Sequence, residues 1–530
     1  MKRPSHIYLS VSMSLVLLAA LAGGAGTFSH ASAQAGTKRW VIIYHQQNAV
    51  PPDADRSVSK AGGTITARLP EVGAAVAESS NPNFVADMSR DPKVSDVAED
   101  IQIQMIPNWE QLHGQVLNDS DVAAAAAAEP AGSDAQTGPD TFYNAFQWDK
   151  KRMRASNQGS YAVQQGRPDV TVAVLDTGAD ILPVPHVDIA NPATGTNFDV
   201  ARSRSFIPVQ PTSNGDPNPA AWDDKNGHGS WCLSAVGAPI NNIGIVGVAP
   251  KVRLVAVKVL ADDGTGSYVS LAQGLIYAGL NKFDVASMSL GGYLRRSDQG
   301  THVLIKLVQR AINFARENGV TPVAALGNES FNISDGSFMQ DFMDIPAEID
   351  GVIGVSATGY FNLKASYSNY GMGKTDVSAP GGDFAVQTPT NPTPLHEGDV
   401  LGAWAAESCG FPNCYVFVSG TSMATPNAAG VAALIISQYG DFTPGGNGKK
   451  LHMSPQRVES YLQQSANNQP CPEPNPVNYV LAIPVGPFPA GSPVPGVQPD
   501  QRCQGDTGYN NFYGKGIVDA FKAVTQAPGQ

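Results

Sequence analysis

A chain of 530 residues has room for more than one domain, and with 42% hydrophobic residues it can build a substantial core rather than remain disordered. A formal net charge of −12 argues against a general nucleic-acid binder, although charge of this sign suits many soluble exported proteins and selects no function by itself.

Lys2 and Arg3 precede an apolar run from Ile7 to Leu21, and small residues then lead to Ala31-Ser32-Ala33. That layout predicts a secretory signal peptide over residues 1–33. Ser10, Ser12 and Ser14 dilute the run, which disfavours an uncleaved membrane anchor. Export lets thiols pair, so the five cysteines matter. Several pairings remain open, but proximity in the chain favours Cys409 with Cys414 and Cys471 with Cys503, leaving Cys232 free.

Residues 34–108 read as a small α+β module. WVIIY (40–44) and GGTITARL (62–69) are strand-like, PNFVADMSRD and its neighbours are helical, and IQIQMI (101–106) alternates as a half-buried strand does. Residues 109–139 follow as a linker that includes the low-complexity run DVAAAAAAEPAGSDAQTGPD, which has no large apolar face and predicts an exposed segment.

From residue 140 the pattern changes. VTVAVLD, VRLVAVKVL, DVASMSL, VTPVAALGN and GVIGVSAT recur as short apolar strands, alternating with helical stretches such as SLAQGLIYAGLNKF and HVLIKLVQRAINFAREN. Strands apolar throughout and interleaved with helices predict an α/β domain whose mainly parallel sheet is covered on both faces. It runs over 140–530, with a Pro-rich insertion near 466–510 and a closing turn and helix in GKGIVDAFKAV.

Within that domain GTSMATPNAAGVAALI (420–435) predicts a buried helix with Ser422 near its start and Pro426 in the first turn, where a missing N–H costs nothing. Serine there is most simply a cap. It becomes a nucleophile only with a base and an orienting carboxylate. Asp176 ends the strand VTVAVLD, and the carboxyl ends of parallel strands are where open α/β sheets place ligands. His228 sits between glycines at a helix start in DDKNGHGSWCLSAVGA, and Asn328 ends the strand TPVAALGN. Each alone is an ordinary turn or cap residue; their combination in distinctive frames is not.

These segments, together with VGVAP, SMSLGG and ALGNES, resemble the subtilisin family of serine peptidases over roughly residues 140–527. The order Asp176, His228, Ser422 is that family's, and an α/β-hydrolase would instead place its serine first and in G-x-S-x-G. The resemblance implies Ser422 as nucleophile, His228 as general base and acid, Asp176 as orienting carboxylate and Asn328 as oxyanion donor. It implies substrate edges at Gly264, Thr265 and Gly266 and at Ser289, Leu290, Gly291 and Gly292, between which an extended peptide adds as a strand. The N-terminal module resembles the family's inhibitory propeptide.

No cofactor is expected for catalysis. A structural calcium is expected from the resemblance, with Asp188 in His186-Val187-Asp188 and the loop residues Asn242, Ile243 and Ile245 as oxygen ligands, although that loop is one residue short of the family's usual length. After His228 the family usually has Gly-Thr-His-Val-Ala-Gly, where this chain has Gly229-Ser230-Trp231-Cys232-Leu233-Ser234. Cys232 shares a helical face with His228 and is expected to be a small buried apolar residue.

The reading is a secreted, monomeric serine endopeptidase made as a zymogen, acting on proteins or peptides and restrained by its own module, with no nucleic-acid partner and no membrane attachment after signal removal. A selective processing peptidase or transpeptidase on the same site, and an inactive binding protein of the same fold, remain the alternatives.

Overall fold

The computed structural model describes residues 36–106, 114–118, 136–193, 195–207, 214–335, 341–383, 398–442, 451–478 and 500–526. The expected signal peptide, the alanine run and residues 479–499 of the Pro-rich insertion lie outside these residues.

The N-terminal module comprises β1 (Lys38–Tyr44), α1 (Ala54–Lys60), β2 (Gly63–Leu69), β3 (Ala74–Ser79), α2 (Phe84–Met88) and β4 (Val94–Glu99). Its strands form an antiparallel sheet in the order β2-β3-β1-β4. Ile42 and Tyr44 point to one face, where Val58 and Phe84 of the helices cover them. Val41 and Ile43 point to the other face, into a cluster shared with the larger domain. Both faces of β1 are thus dry, which explains a strand without polar alternation. Strands β3 and β4 escaped the sequence reading. AAVAES is rich in alanine, which favours helix locally until pairing on both sides overrides that preference.

IQIQMI does contain a strand, β5 (Gln102–Gln104), but it leaves the module's sheet and pairs with the larger domain. β6 (Gln115–Val116), ahead of the run expected to be exposed, adds to the edge of a hairpin in that domain.

The larger domain contains β7 (Thr171–Asp176), β8 (Arg204–Ser205), α3 (His228–Gly237), β9 (Arg253–Lys258), β10 (Thr265–Ser267), α4 (Tyr268–Leu280), β11 (Val285–Met288), β12 (Gly292–Arg295), α5 (Thr301–Glu317), β13 (Thr321–Ala325), β14 (Phe342–Ile345), β15 (Ile353–Thr358), β16 (Val377–Pro380), β17 (Val400–Trp404), β18 (Cys414–Val418), α6 (Thr421–Tyr439) and α7 (Pro455–Ser465). Seven strands pair in parallel in the order β16-β15-β13-β11-β7-β9-β8, the α/β architecture that the apolar runs predict.

Strand periodicity sorts the core. Val172 and Val174 of β7 face the cluster holding α3 and α6, while Ala173 and Leu175 face the cluster holding α4 and α5. Helix α6 is buried from Thr421 to Ser437, as its Ala, Val, Leu and Ile content requires. Helix α5 is amphipathic, and Val303, Leu307 and Ala311 are buried along it. The module's sheet lies against this helix, fastened by Lys306 to Asp96 at 2.7 Å and by Arg310 to the carbonyl of Val72 at 2.9 Å. Cys409 pairs with Cys414 and Cys471 with Cys503, and Cys232 is free and buried.

Candidate active site

Asp176 is the last residue of β7, and its Oδ1 receives the Thr177 N–H at 2.7 Å and meets His228 Nδ1 at 2.8 Å. His228 opens α3 behind Gly227, whose φ of 110° is left-handed and whose added Cβ would stand 2.3 Å from the Trp404 ring. Only glycine fits there. Both side chains are buried, and His228 Nε2 has no hydrogen-bond partner.

Ser422 is the second residue of α6. Its Oγ donates to the Ser289 carbonyl at 3.3 Å, and in return the Ser289 hydroxyl donates to the Ser422 carbonyl at 2.7 Å. Pro426 explains the exchange. It is the sixth residue of the helix, not in the first turn as the sequence suggested, and its nitrogen has no hydrogen for the carbonyl four residues back. That carbonyl is Ser422's.

Asn328 follows β13, and its Oδ1 accepts both the Thr421 N–H at 2.8 Å and the Thr421 hydroxyl at 2.9 Å. With its oxygen committed, the amide N–H₂ is left for a ligand, and Asn328 and Ser422 line one pocket.

The two expected substrate edges are filled by the chain's own residues 102–106. β5 pairs antiparallel with β10 through Gln104–Thr265, Ile103–Gly266 and Gln102–Ser267. Beyond it the Met105 N–H donates to the Gly264 carbonyl at 3.1 Å, and the Gly291 N–H donates to the Met105 carbonyl at 3.0 Å. Leu290 lines the pocket, and a Cβ on Gly292 would strike the Ile103 side chain at 2.3 Å. Gly292 itself, in β12, is paired with Ile345 of β14.

The departures after His228 are accommodated. Trp231 donates from its indole to the Val416 carbonyl at 3.2 Å and packs on Gly402, where any side chain would collide with the indole. Ser234 accepts the Ala403 N–H at 3.0 Å. The hairpin β17-β18 is thus fitted to the altered helix. Cys232 lies with its Sγ 3.7 Å from the Ser422 carbonyl and 4.0 Å from His228 Nδ1. Burial first, then the Asp176 charge, push its thiol well above the usual range, which keeps it protonated.

The expected calcium ligands do not converge. Asp188 Oδ2 accepts the Tyr415 hydroxyl at 2.6 Å and the Ile245 N–H at 2.9 Å, while Oδ1 accepts the Asn241 amide at 3.1 Å. Ile245 therefore turns a donor toward the carboxylate, not a carbonyl. The Asn242 carbonyl accepts the Thr141 hydroxyl at 3.0 Å, and Ile243 is 41% exposed. A hard cation needs oxygens, and three N–H or O–H donors occupy the carboxylate it would use. The shortened loop is closed by Asp140, whose Oδ1 accepts the N–H groups of Asn241 and Asn242.

A carboxylate ending a parallel strand, a histidine opening a helix and a serine opening a later buried helix, in that chain order, define a subtilisin-like protein. A Subtilase family profile matches residues 167–516, and the chain belongs to that family. It is 35% identical over 272 residues to the thermostable alkaline protease of Halalkalibacterium halodurans, a match covering 51% of this chain and 58% of that relative. It is 28% identical over 448 residues to subtilisin NAT of Bacillus subtilis subsp. natto, covering 83% and 91%. The chain thus spans less than two thirds of the first relative's length. The crystal structure of the epidermin leader peptide processing serine protease from Staphylococcus aureus superposes with a TM-score of 0.63 at 19% identity, covering 93% of this chain and 100% of that one, which establishes a shared fold.

Proposed function

We propose that the protein is a secreted serine endopeptidase made as a zymogen. The observation that carries this reading is residues 102–106, which lie in the cleft as an added strand bonded to Gly264 and Gly291 while Met105 lines the pocket containing Ser422. A cleft that holds an extended peptide beside an activatable hydroxyl is a peptidase cleft, and here the inhibitory module fills it.

In the reaction the Ser422 Oγ–H rotates from the Ser289 carbonyl toward His228 Nε2, the unpartnered buried nitrogen. His228 takes the proton as Oγ attacks the scissile carbonyl. Asp176, bonded to Nδ1, fixes the tautomer and stabilises the imidazolium without itself becoming protonated. The oxyanion is held by the Asn328 N–H₂ and the Ser422 N–H, at the positive end of α6. His228 then protonates the departing amine, leaving an acyl ester on Ser422. Water deprotonated by His228 hydrolyses that ester. No cofactor takes part, and the site around Asp188 is held by protein donors in place of calcium.

Export rests on the charged and apolar N-terminus with its small-residue cleavage site. Among the described residues no helix is long and apolar enough to cross a membrane.

The test compares the secreted wild type with Ser422→Ala on denatured casein. Hydrolysis by the wild type that the variant lacks is expected. Equal hydrolysis, or none by either protein after proteolytic removal of the module, would reject the peptidase reading in favour of a binding protein of the same fold.

A further inference from the structure

Ser422 and Asn328 share their pocket with Gly291, Tyr293 and two carboxylates, Glu329 and Asp344. These acids differ in what they already hold. Glu329 Oε2 accepts the Tyr293 hydroxyl at 2.5 Å, the Asn369 amide at 2.6 Å and the Asn328 N–H at 2.9 Å. It is committed to shaping the loop that carries Asn328. Behind the pocket, Glu348 accepts the Asp344 N–H at 2.8 Å and pairs with Lys374 at 2.9 Å. It has its cation.

Asp344 has none. The residue is 1% exposed, its Oδ2 has no hydrogen-bond partner, and no described cation pairs with it. Strand β14 sets it opposite Tyr293 of β12, beside the edge that binds peptide. Gly291 keeps it open to that edge, because a Cβ there would stand 2.7 Å from Asp344 Oδ1. Burial first, and then the charges of Glu329 and Glu348, push the Asp344 carboxyl well above its ordinary range. Such a group binds a proton or a cation more readily than it stands alone.

We propose that this pocket selects a lysine or arginine side chain immediately before the bond that is cut, with Asp344 as the residue that reads its charge. This rests on the peptidase reading above. The methylene stem of either side chain passes the apolar walls of Leu290 and Ala325, and its ammonium or guanidinium group donates to the free Asp344 oxygen. A neutral apolar side chain fills the same walls and leaves that oxygen without a partner.

Residues 102–106 do not carry the side chain that this preference selects: Met105 occupies a wall of the pocket, and residues 94–149 contain no lysine or arginine.

The test digests a denatured protein mixture with the secreted enzyme, identifies the new termini by mass spectrometry, and measures kcat/KM on two peptides differing only in arginine or leucine before the scissile bond. Cuts concentrated after lysine and arginine are expected. So is an arginine-to-leucine ratio that falls on the order of 100-fold in Asp344→Asn and much less in Glu329→Gln. Both rates come from one preparation, so loss of folded protein cancels in the ratio. Cuts without basic enrichment, or an unchanged ratio in Asp344→Asn, overturn the proposal and leave the peptidase reading standing. Failure to cut any bond rejects that reading and this one with it.

Discussion

The hydroxyl of Ser289 replaces a backbone hydrogen bond that α6 itself does not make, donating to the Ser422 carbonyl at 2.7 Å. Pro426 leaves that carbonyl without its helical donor, and the peptide-binding edge supplies one instead. The segment around Ser289 and the helix that carries Ser422 are thereby fixed to each other. Ser289→Ala should destabilise the protein by about 0.5–1.5 kcal/mol, because the buried carbonyl then keeps only the weak Cys232 S–H donor. Adding Pro426→Ala returns an N–H four residues from Ser422 and should recover part of the loss. Thermal unfolding of both single variants and the double variant measures the coupling; strictly additive effects would show that the two groups do not serve the same carbonyl.

Tyr415 takes the place at Asp188 that resemblance gives to a metal. Its ring packs edge-on against Phe142 and His186, so Tyr415→Phe keeps the packing and removes only the hydroxyl. The variant should lose about 1–3 kcal/mol. A calcium chelator should leave the wild-type unfolding temperature unchanged. A large drop in chelator would mean that a cation displaces the Tyr415 hydroxyl from the carboxylate.

The frame of the candidate site was legible because its residues sit where apolar strands stop and helices start, at Asp176, His228, Asn328 and Ser422. Those boundaries are local features of the chain. Pairing partners are not. IQIQMI showed the right period for a strand, yet nothing in its six letters says that its neighbour is residues 265–267. Asp344 was hidden for the same reason, since its meaning depends on β14 folding back on β12. At Asp188, too, the motif in the sequence says nothing of what surrounds the carboxylate. Tyr415, distant in sequence, supplies the donor that alters the site's chemistry.

Lys150 and Asp149 form a fully buried ion pair at 2.6 Å, and Lys150 also donates to Asn427 of α6 at 2.8 Å. The short helix Trp148–Arg152 is thus tied to α6, which carries Ser422. Lys150→Met strands the Asp149 carboxylate and should cost about 3–5 kcal/mol. Lys150→Met with Asp149→Leu removes both charges and should cost less than the single change. Chemical denaturation of the two variants decides it, and a double variant no better than the single one would place the loss in packing.

Asp180 lies near Asp224 at the start of α3. Burial first, and then the Asp224 charge, push its carboxyl up to about 8. The folded state therefore holds a proton that the unfolded chain has released, and stability from this group is full below about pH 4 and is lost as pH rises through 8. Asp180→Asn cannot titrate. Between pH 5 and 8.5 the wild type should lose stability relative to the variant, and parallel unfolding curves across that range would show that Asp180 is already ionised at pH 5.

Cys232 fills the space between His228 and the Ser422 carbonyl, fully buried and held as the neutral thiol. Alkylating agents that need the thiolate should react slowly. An organomercurial bonds to sulfur as the proton leaves, and once seated it has no room beside His228, so it should inactivate the enzyme at one equivalent. Cys232→Ala should remain active and resist the reagent, because the thiol has no part in the proton path from Ser422 to His228. Full activity with mercury shown by mass spectrometry to sit on Cys232 would mean that the helix carrying His228 can move away without loss of catalysis.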